Sequence, residues 1–402
     1  MYIYEGRNPK VKKSVLVMLL CGILFLNGCS SVMEFSSETV PLATTGYTDY
    51  TEITSPEAVP ETVRPTFPHK ETETVIETIP EEPSLSDELY QKISQFESVI
   101  PFDRKLDSEE IVLAMGELER KHPEIFWING YSMKSNDVSS EVTLKVMNQY
   151  SPDELRRMSE QVDFAVEQIL NTVNPEDSDY EKALQIHDYL VTHTEYDQSA
   201  VNSGKGLWST AFGCLINGSA VCQGYSQAFQ ILMNRLGIEC GICSGDAKSE
   251  PHAWNYIKLN GQYYWVDVTW DDPVSENYNF DWIHHGYFLI DDRMLARSIT
   301  FESNGQFVPL CGSLDENYFV RNGNYLPEYY FSEIDSRLTA SAGEGRIEVM
   351  FATAEAYQMA IQDLFGSESV WNAQIFQKTG GNITYQQDDD MYVLRLIFTV
   401  NP

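Results

Sequence analysis

Residues 250–272 read EPHAWNYIKLNGQYYWVDVTWDD. Two runs rich in aromatic and β-branched residues flank Asn260-Gly261, the strongest short-range signal for a two-residue hairpin turn. With Leu259 opposite Gln262, the register carried along both strands puts Trp254 opposite Asp267 and His252 opposite Thr269. Side chains alternate across a strand, so His252 and Asp267 share a face as diagonal neighbours. Diagonal Cβ atoms lie ~7–8 Å apart, close enough for an imidazole to meet a carboxylate. The other face, Ala253, Asn255, Ile257, Leu259, Tyr264, Val266, Val268 and Trp270, is largely apolar and predicts a sheet seated on a core. A single bulge would set His252 and Asp267 on opposite faces.

Upstream, residues 219–237 read SAVCQGYSQAFQILMNRLG. Val221, Tyr225, Phe229, Leu232, Met233 and Leu236 recur at three- and four-residue spacing, which predicts a helix over about 220–236 ended by Gly237. Cys222 then sits in the first turn, where free N–H groups and the positive end of the helix dipole favour a thiolate. A thiolate there is a nucleophile, and its own N–H points toward a developing oxyanion. A buried thiol packed as a small hydrophobe fits the helix alone equally well. The His252–Asp267 pair tips the balance, because cysteine, imidazole and carboxylate together build acyl-transfer chemistry.

GSAVCQGYSQAFQILMNRLGIECGICSG at 218–245 and HAWNYIKLNGQYYWVDVTWDDP at 252–273, with IHDYLVTHTEYD at 186–197, resemble the transglutaminase-like superfamily, the papain-like group of transglutaminases and many bacterial peptidases. The resemblance covers about 180–292. It implies an α+β fold in which the helix bearing Cys222 packs against an antiparallel sheet bearing His252 and Asp267, and with both on one face of the hairpin that helix is expected to cover the same face. It implies Cys222 as nucleophile, His252 as general base and Asp267 as its orienter. The expected activity is attack on a peptide or protein amide, with hydrolysis (peptidase or amidase) or transamidation as outcome. The alternative is a non-catalytic surface module that holds peptide or glycan-peptide in the same groove. Papain-like enzymes place a side-chain oxyanion donor upstream of the cysteine. Asn217, which also suits a turn in NGS, and Gln223 are the candidates here. Tyr225 and Trp254 are expected to line the cleft. Animal transglutaminases use calcium, but no EF-hand spacing occurs, and no cofactor or metal is expected. Asp271 and Asp272 read as a polar loop, and His187 and His193 as packed or surface residues of a helix.

The chain has 402 residues and a net charge of −33, with 27 basic and 60 acidic residues, which excludes a nucleic-acid binder. Arg7, Lys10, Lys12 and Lys13 precede the apolar run VLVMLLCGILFL, too short for a comfortable membrane span but suited to a secretory leader. The run closes in LNGC, resembling a lipobox, so residues 1–28 read as a lipoprotein signal peptide and Cys29 as the lipid-bearing first residue of an extracytoplasmic, membrane-anchored protein. Setting aside Cys21 and Cys29, five of the seven cysteines remain, an odd number that leaves at least one thiol free. The lone Cys240-x-x-Cys243 is a weak zinc signal, since strand geometry sends the two to opposite faces.

Residues 29–85 are rich in Thr, Ser, Glu and Pro and read as a solvated spacer. Residues 86–150 predict an N-terminal α+β region, with helices in 86–100 and 107–126, the latter opened by an Asp107/Glu110 capping box, and a strand in 141–150. The core, 151–312, opens with a helix capped by Ser151, Pro152 and Glu154, and a further helix spans 178–197. Residues 313–402 predict a small α+β domain with strands near 346–352 and 391–400 and a helix near 354–365. The oligomeric state leaves no mark in the sequence. If Cys29 carries the anchor, a fatty-acid probe fed to expressing cells labels the wild-type chain and not Cys29→Ser. Equal labelling of both would remove the anchor.

Overall fold

The structure, a computed structural model, describes residues 2–5, 83–201, 203–272, 282–301 and 306–401. The apolar leader run, Cys29 and nearly all of the 29–85 spacer lie outside the described residues. No helix among the described residues is long and apolar enough to cross a membrane. Tyr2–Glu5 (β1) pairs antiparallel with a C-terminal strand at Asn382–Tyr385, and cleavage before Cys29 would remove this strand from the sheet.

The chain then builds α1 (Leu85–Ile93), β2 (Val99–Phe102), α2 (Ser108–Lys121), β3 (Ile128–Ser135) and β4 (Ser140–Val146). The first helix stops well short of residue 100, because Phe96 takes a left-handed φ of 65° and the chain extends into β2. The Asp107 N–H donates to Glu110 Oε2 at 2.8 Å, the capping contact expected at α2. Strands β2, β4 and β3 form an antiparallel sheet in that order. Next come α3 (Pro152–Leu170), α4 (Asp179–His193), β5 (Glu195–Tyr196) and β6 (Ser219–Ala220), the last two paired in parallel.

The central layer follows: α5 (Cys222–Arg235), β7 (Cys240–Ala247), β8 (Glu250–Leu259), β9 (Gln262–Val266), α6 (Val268–Asp271), β10 (Phe288–Ile290), α7 (Asp292–Leu295) and β11 (Ile299–Phe301). The sheet is antiparallel throughout, in the order β10-β9-β8-β7-β11. Asn260 at φ 50° and Gly261 at φ 79° make the turn that two left-handed residues require. The expected register holds from Leu259↔Gln262 to Asn255↔Val266 and no further. The pairs Trp254/Asp267 and His252/Thr269 do not form. Asp267 instead turns the chain into α6, its carboxylate accepting the Trp270 N–H at 3.2 Å, a local bond that aspartate favours over a continued ladder. His252 pairs with Gly245 of β7.

The C-terminal part contains α8 (Tyr318–Arg321), β12 (Tyr325–Leu326), α9 (Phe331–Ala340), β13 (Arg346–Phe351), α10 (Ala354–Ile361), α11 (Gln374–Thr379), β14 (Gly381–Asp388) and β15 (Val393–Val400). Its sheet runs β1-β14-β15-β13-β12, with only β12 and β13 parallel. Three apolar clusters hold these described parts together. The largest joins α1–α5 to one face of the central sheet, through residues such as Leu89, Leu118, Ile186, Phe229, Ile257 and Val266. A second lies within the C-terminal part. The third sits behind the central sheet and mixes Cys243, Trp254 and Trp265 with Cys311, Phe319, Met350 and Val393. Cys240 and Cys243 thus sit in different clusters on opposite faces of β7.

Arg395 and Glu348 form a buried ion pair on β15 and β13, Nε to Oε1 2.6 Å, with side chains 3% and 5% exposed. Glu348→Ala strands the guanidinium, and urea unfolding should show a loss of ~3–5 kcal/mol. Replacing both by leucine should cost far less. Equal losses in the single and double variants would mean that the pair's charge is immaterial.

Candidate active site

Cys222 is the first residue of α5, and Val221, at the capping position, offers the helix no side-chain hydrogen bond. The first N–H groups of the helix, including those of Cys222 and Gln223, therefore have no partner within the helix. The approach to this end is close. A Cβ on Gly224 would lie 2.8 Å from Ala220 Cβ and 2.9 Å from the Thr210 carbonyl oxygen, so only glycine fits. Asn255 anchors the helix to the sheet, its Nδ2 donating to the carbonyls of Ser226 (3.0 Å) and Gly241 (3.2 Å).

That anchor corrects one expectation. The helix covers the sheet face carrying Asn255, Ile257 and Leu259, not the face carrying His252. The apolar face needed a helix to bury it, and α5 supplies that cover. Cys222 approaches His252 from the end of the helix, near enough for its thiol to act electrostatically on the imidazole. His252 Nε2 meets Asp267 Oδ2 at 2.6 Å, which leaves Nδ1 as the ring nitrogen free to face Cys222. Asp267 is 1% exposed, and its own N–H donates to the Tyr287 carbonyl at 3.1 Å. His252 and Asp267 are hydrogen-bonded, although the long hairpin expected to align them stops at Val266.

Burial disfavours a charge on His252, but Asp267 and the Cys222 thiol more than offset it and raise the imidazole from its usual 6.5 to about 10. A folded-state value above the unfolded one means that the charged ring stabilises the fold fully below pH ~6.5. That contribution fades as pH climbs through about 10.

The remaining candidates fall differently. Tyr225 and Trp254, expected to line the cleft, are both 0% exposed. The Tyr225 hydroxyl donates to Asp272 Oδ2 at 2.5 Å, and Trp254 packs behind the sheet. Trp270 is the nearer of two tryptophans stacked on His252, at 4.9 Å and 21°, with Trp254 at 6.1 Å. Asn217 is exposed at the end of the turn before β6, and Gln223 is half-buried beside Cys222. Asp271 and Asp272 are not a polar loop. Asp271, 1% exposed, accepts the Tyr287 N–H and bonds His187 Nε2 at 3.1 Å. Burial pushes Asp272 up to about 6 despite its Tyr225 hydrogen bond. His187 belongs to the buried face of α4, and its spacing from Tyr180, Ala183 and Leu190 was the signal that places it there. His193 is exposed.

Five described cysteines are free thiols, and Cys222 alone among them is not buried. Burial pushes Cys214 and Cys243 up to about 12 and raises Cys240 and Cys311 as well. Iodoacetamide on the native protein should therefore modify Cys222 before these four, as read by peptide mapping. Uniform labelling would contradict the site.

Residues 167–269 match the family model of the transglutaminase-like superfamily. The chain is 22% identical over 169 residues to the human kyphoscoliosis peptidase, covering 38% of this chain and 25% of that protein. The mouse kyphoscoliosis peptidase matches at 22% over 167 residues, with the same coverage. The chain thus spans about a quarter of the length of these curated relatives. Among solved structures, a TGase is similar with 19% identity and a TM-score of 0.26, covering 45% of this chain and 53% of that one. A candidate cysteine protease from Cytophaga hutchinsonii has 16% identity and a TM-score of 0.23, covering 34% and 55%. Residues 167–269, which contain Cys222, His252 and Asp267, are a transglutaminase-like domain.

Proposed function

We propose that this chain is a cysteine-dependent acyltransferase or hydrolase acting at peptide or protein amide bonds, held outside the cytoplasm by a lipid on Cys29. The observation that supports the reading is the buried His252–Asp267 hydrogen bond, with the imidazole further influenced by the Cys222 thiol at the start of α5. Cys222 Sγ attacks the amide carbonyl carbon, and the first-turn N–H groups of α5 receive the oxyanion. His252 gives its proton to the leaving amine as the C–N bond breaks, which leaves a thioester on Cys222. Water then yields an acid, or an amine yields a new amide, and the thiol returns. Asp267 fixes the ring orientation and tautomer.

A groove of about 340 Å³, lined by Val112, Leu113, Arg120, Ile242 and Cys243 among others, reaches Gln223. Gln223 directly follows the nucleophile, so the groove suits the chain flanking the scissile bond. Cys222→Ala should abolish turnover of a peptide library. Asp267→Asn should keep the fold and lower the rate by up to ~10⁴, by analogy with serine triads. Mass spectrometry with and without an added primary amine separates hydrolysis from transamidation. Binding of peptides without turnover by the wild type would instead favour a groove that only holds them.

A further inference from the structure

A second group of side chains lies outside the triad, where α4 meets the segment entering β10. His187 Nδ1 is 3.0 Å from Asp188 Oδ1, and His285 Nε2 is 2.9 Å from the same oxygen. One ligand atom from each of the three residues lies within 4.8 Å of the others. Among the described residues no other trio of His, Cys, Asp or Glu converges in this way.

We propose that His187, Asp188 and His285 bind one divalent transition-metal ion of the zinc class. Ligand atoms held at ~2.1 Å from one ion and ~90–109° apart are ~3.0–3.4 Å from each other, the spacing seen around Asp188. Two imidazoles and a carboxylate are borderline ligands suited to such an ion rather than to calcium or magnesium. The surroundings of His187 match those of a metal ligand. Its other nitrogen bonds Asp271, a buried carboxylate that Tyr287 N–H holds in place. Ligating histidines are oriented by such an outer carboxylate. His285 is 6% exposed and stacks on Tyr318 at 3.9 Å, and its Nδ1 has no hydrogen-bond partner among the described residues. Asp188 has a side chain 32% exposed, so an ion can arrive from solvent and keep water on its open side.

Binding forms three metal–ligand bonds: the proton between His187 Nδ1 and Asp188 leaves to solvent, and the one on His285 Nε2 moves to its Nδ1, so that both rings ligate as neutral imidazoles. The ion would tie α4 to the segment that leads into Tyr287, whose carbonyl accepts the Asp267 N–H. Its role is therefore structural support of the triad, with no part in bond breaking.

The test uses the full chain carrying Cys222→Ser, so that the active thiol cannot bind the probe. After chelation, the protein is given Zn²⁺, freed of excess and assayed for bound metal, and Co²⁺ is added in parallel for its visible spectrum. The expected result is one equivalent of zinc and a cobalt spectrum without thiolate charge transfer. Asp188→Asn, His285→Gln and, through orientation of His187, Asp271→Asn should each weaken binding, the last by ~10–100-fold. Because His285 is buried, Asp188→Asn decides the case if His285→Gln fails to fold, with circular dichroism confirming its structure. No stoichiometric metal on the parent chain, or unchanged affinity in folded Asp188→Asn, would overturn the proposal.

Discussion

A buried negative charge at the end of a strand governs this site. Asp267 is 1% exposed, and a carboxylate removed from water must be satisfied in full. One oxygen takes the Trp270 N–H, and the other takes His252. The first bond ends β9 and starts α6, and the second holds the imidazole. Local backbone geometry and the geometry of the candidate site therefore answer to one group. Trp270, delivered by the turn that Asp267 makes, stacks on the ring it helps to orient. The two consequences are inseparable: a side chain unable to bond the Trp270 N–H would disturb the ring and the end of the sheet together.

Much of this was legible in the sequence because the signals are local. Asn260-Gly261 specifies its turn, and the pairing of Leu259 with Gln262 follows directly. The spacing of apolar residues in α5 and the placing of Cys222 in its first turn needed no tertiary information. Ser151 and Glu154 likewise announced the start of α3, where Ser151 N–H donates to Glu154 Oε2 at 2.8 Å. What sequence reasoning missed depends on distant partners. Alternation continued smoothly past Val266, and nothing within the hairpin shows that Asp267 prefers to cap a helix. The choice of face was missed for the same reason. Both faces of β8 carry large apolar groups, and the third cluster, drawn from the central layer and the C-terminal part together, covers Trp254 from behind. Asp271 and Asp272 looked like loop residues because their partners, His187 and Tyr225, lie more than forty residues away.

The site has two polar layers of different character. The outer layer contains Cys222, half-buried and open to reagents, next to an imidazole held in its charged form. The inner layer, around Asp271 and His187, is almost wholly shielded. Shielding makes each unpaired group there costly, so the inner layer tolerates few alternative arrangements. Such rigidity suits catalysis, in which a reacting thiol and its base must already be aligned when substrate arrives.

The third apolar cluster bears on how the polypeptide can be divided. Trp254 and Trp265 on the central sheet share it with Phe319, Met350, Met391 and Val393. A fragment ending near residue 312 would keep Cys222, His252 and Asp267 and still lose the cover that Phe319, Met350, Met391 and Val393 give the back of the central sheet. Apolar surface uncovered in this way recruits other chains. Insolubility of such a fragment would then report an uncovered sheet, and it would say nothing about whether the C-terminal part touches substrate.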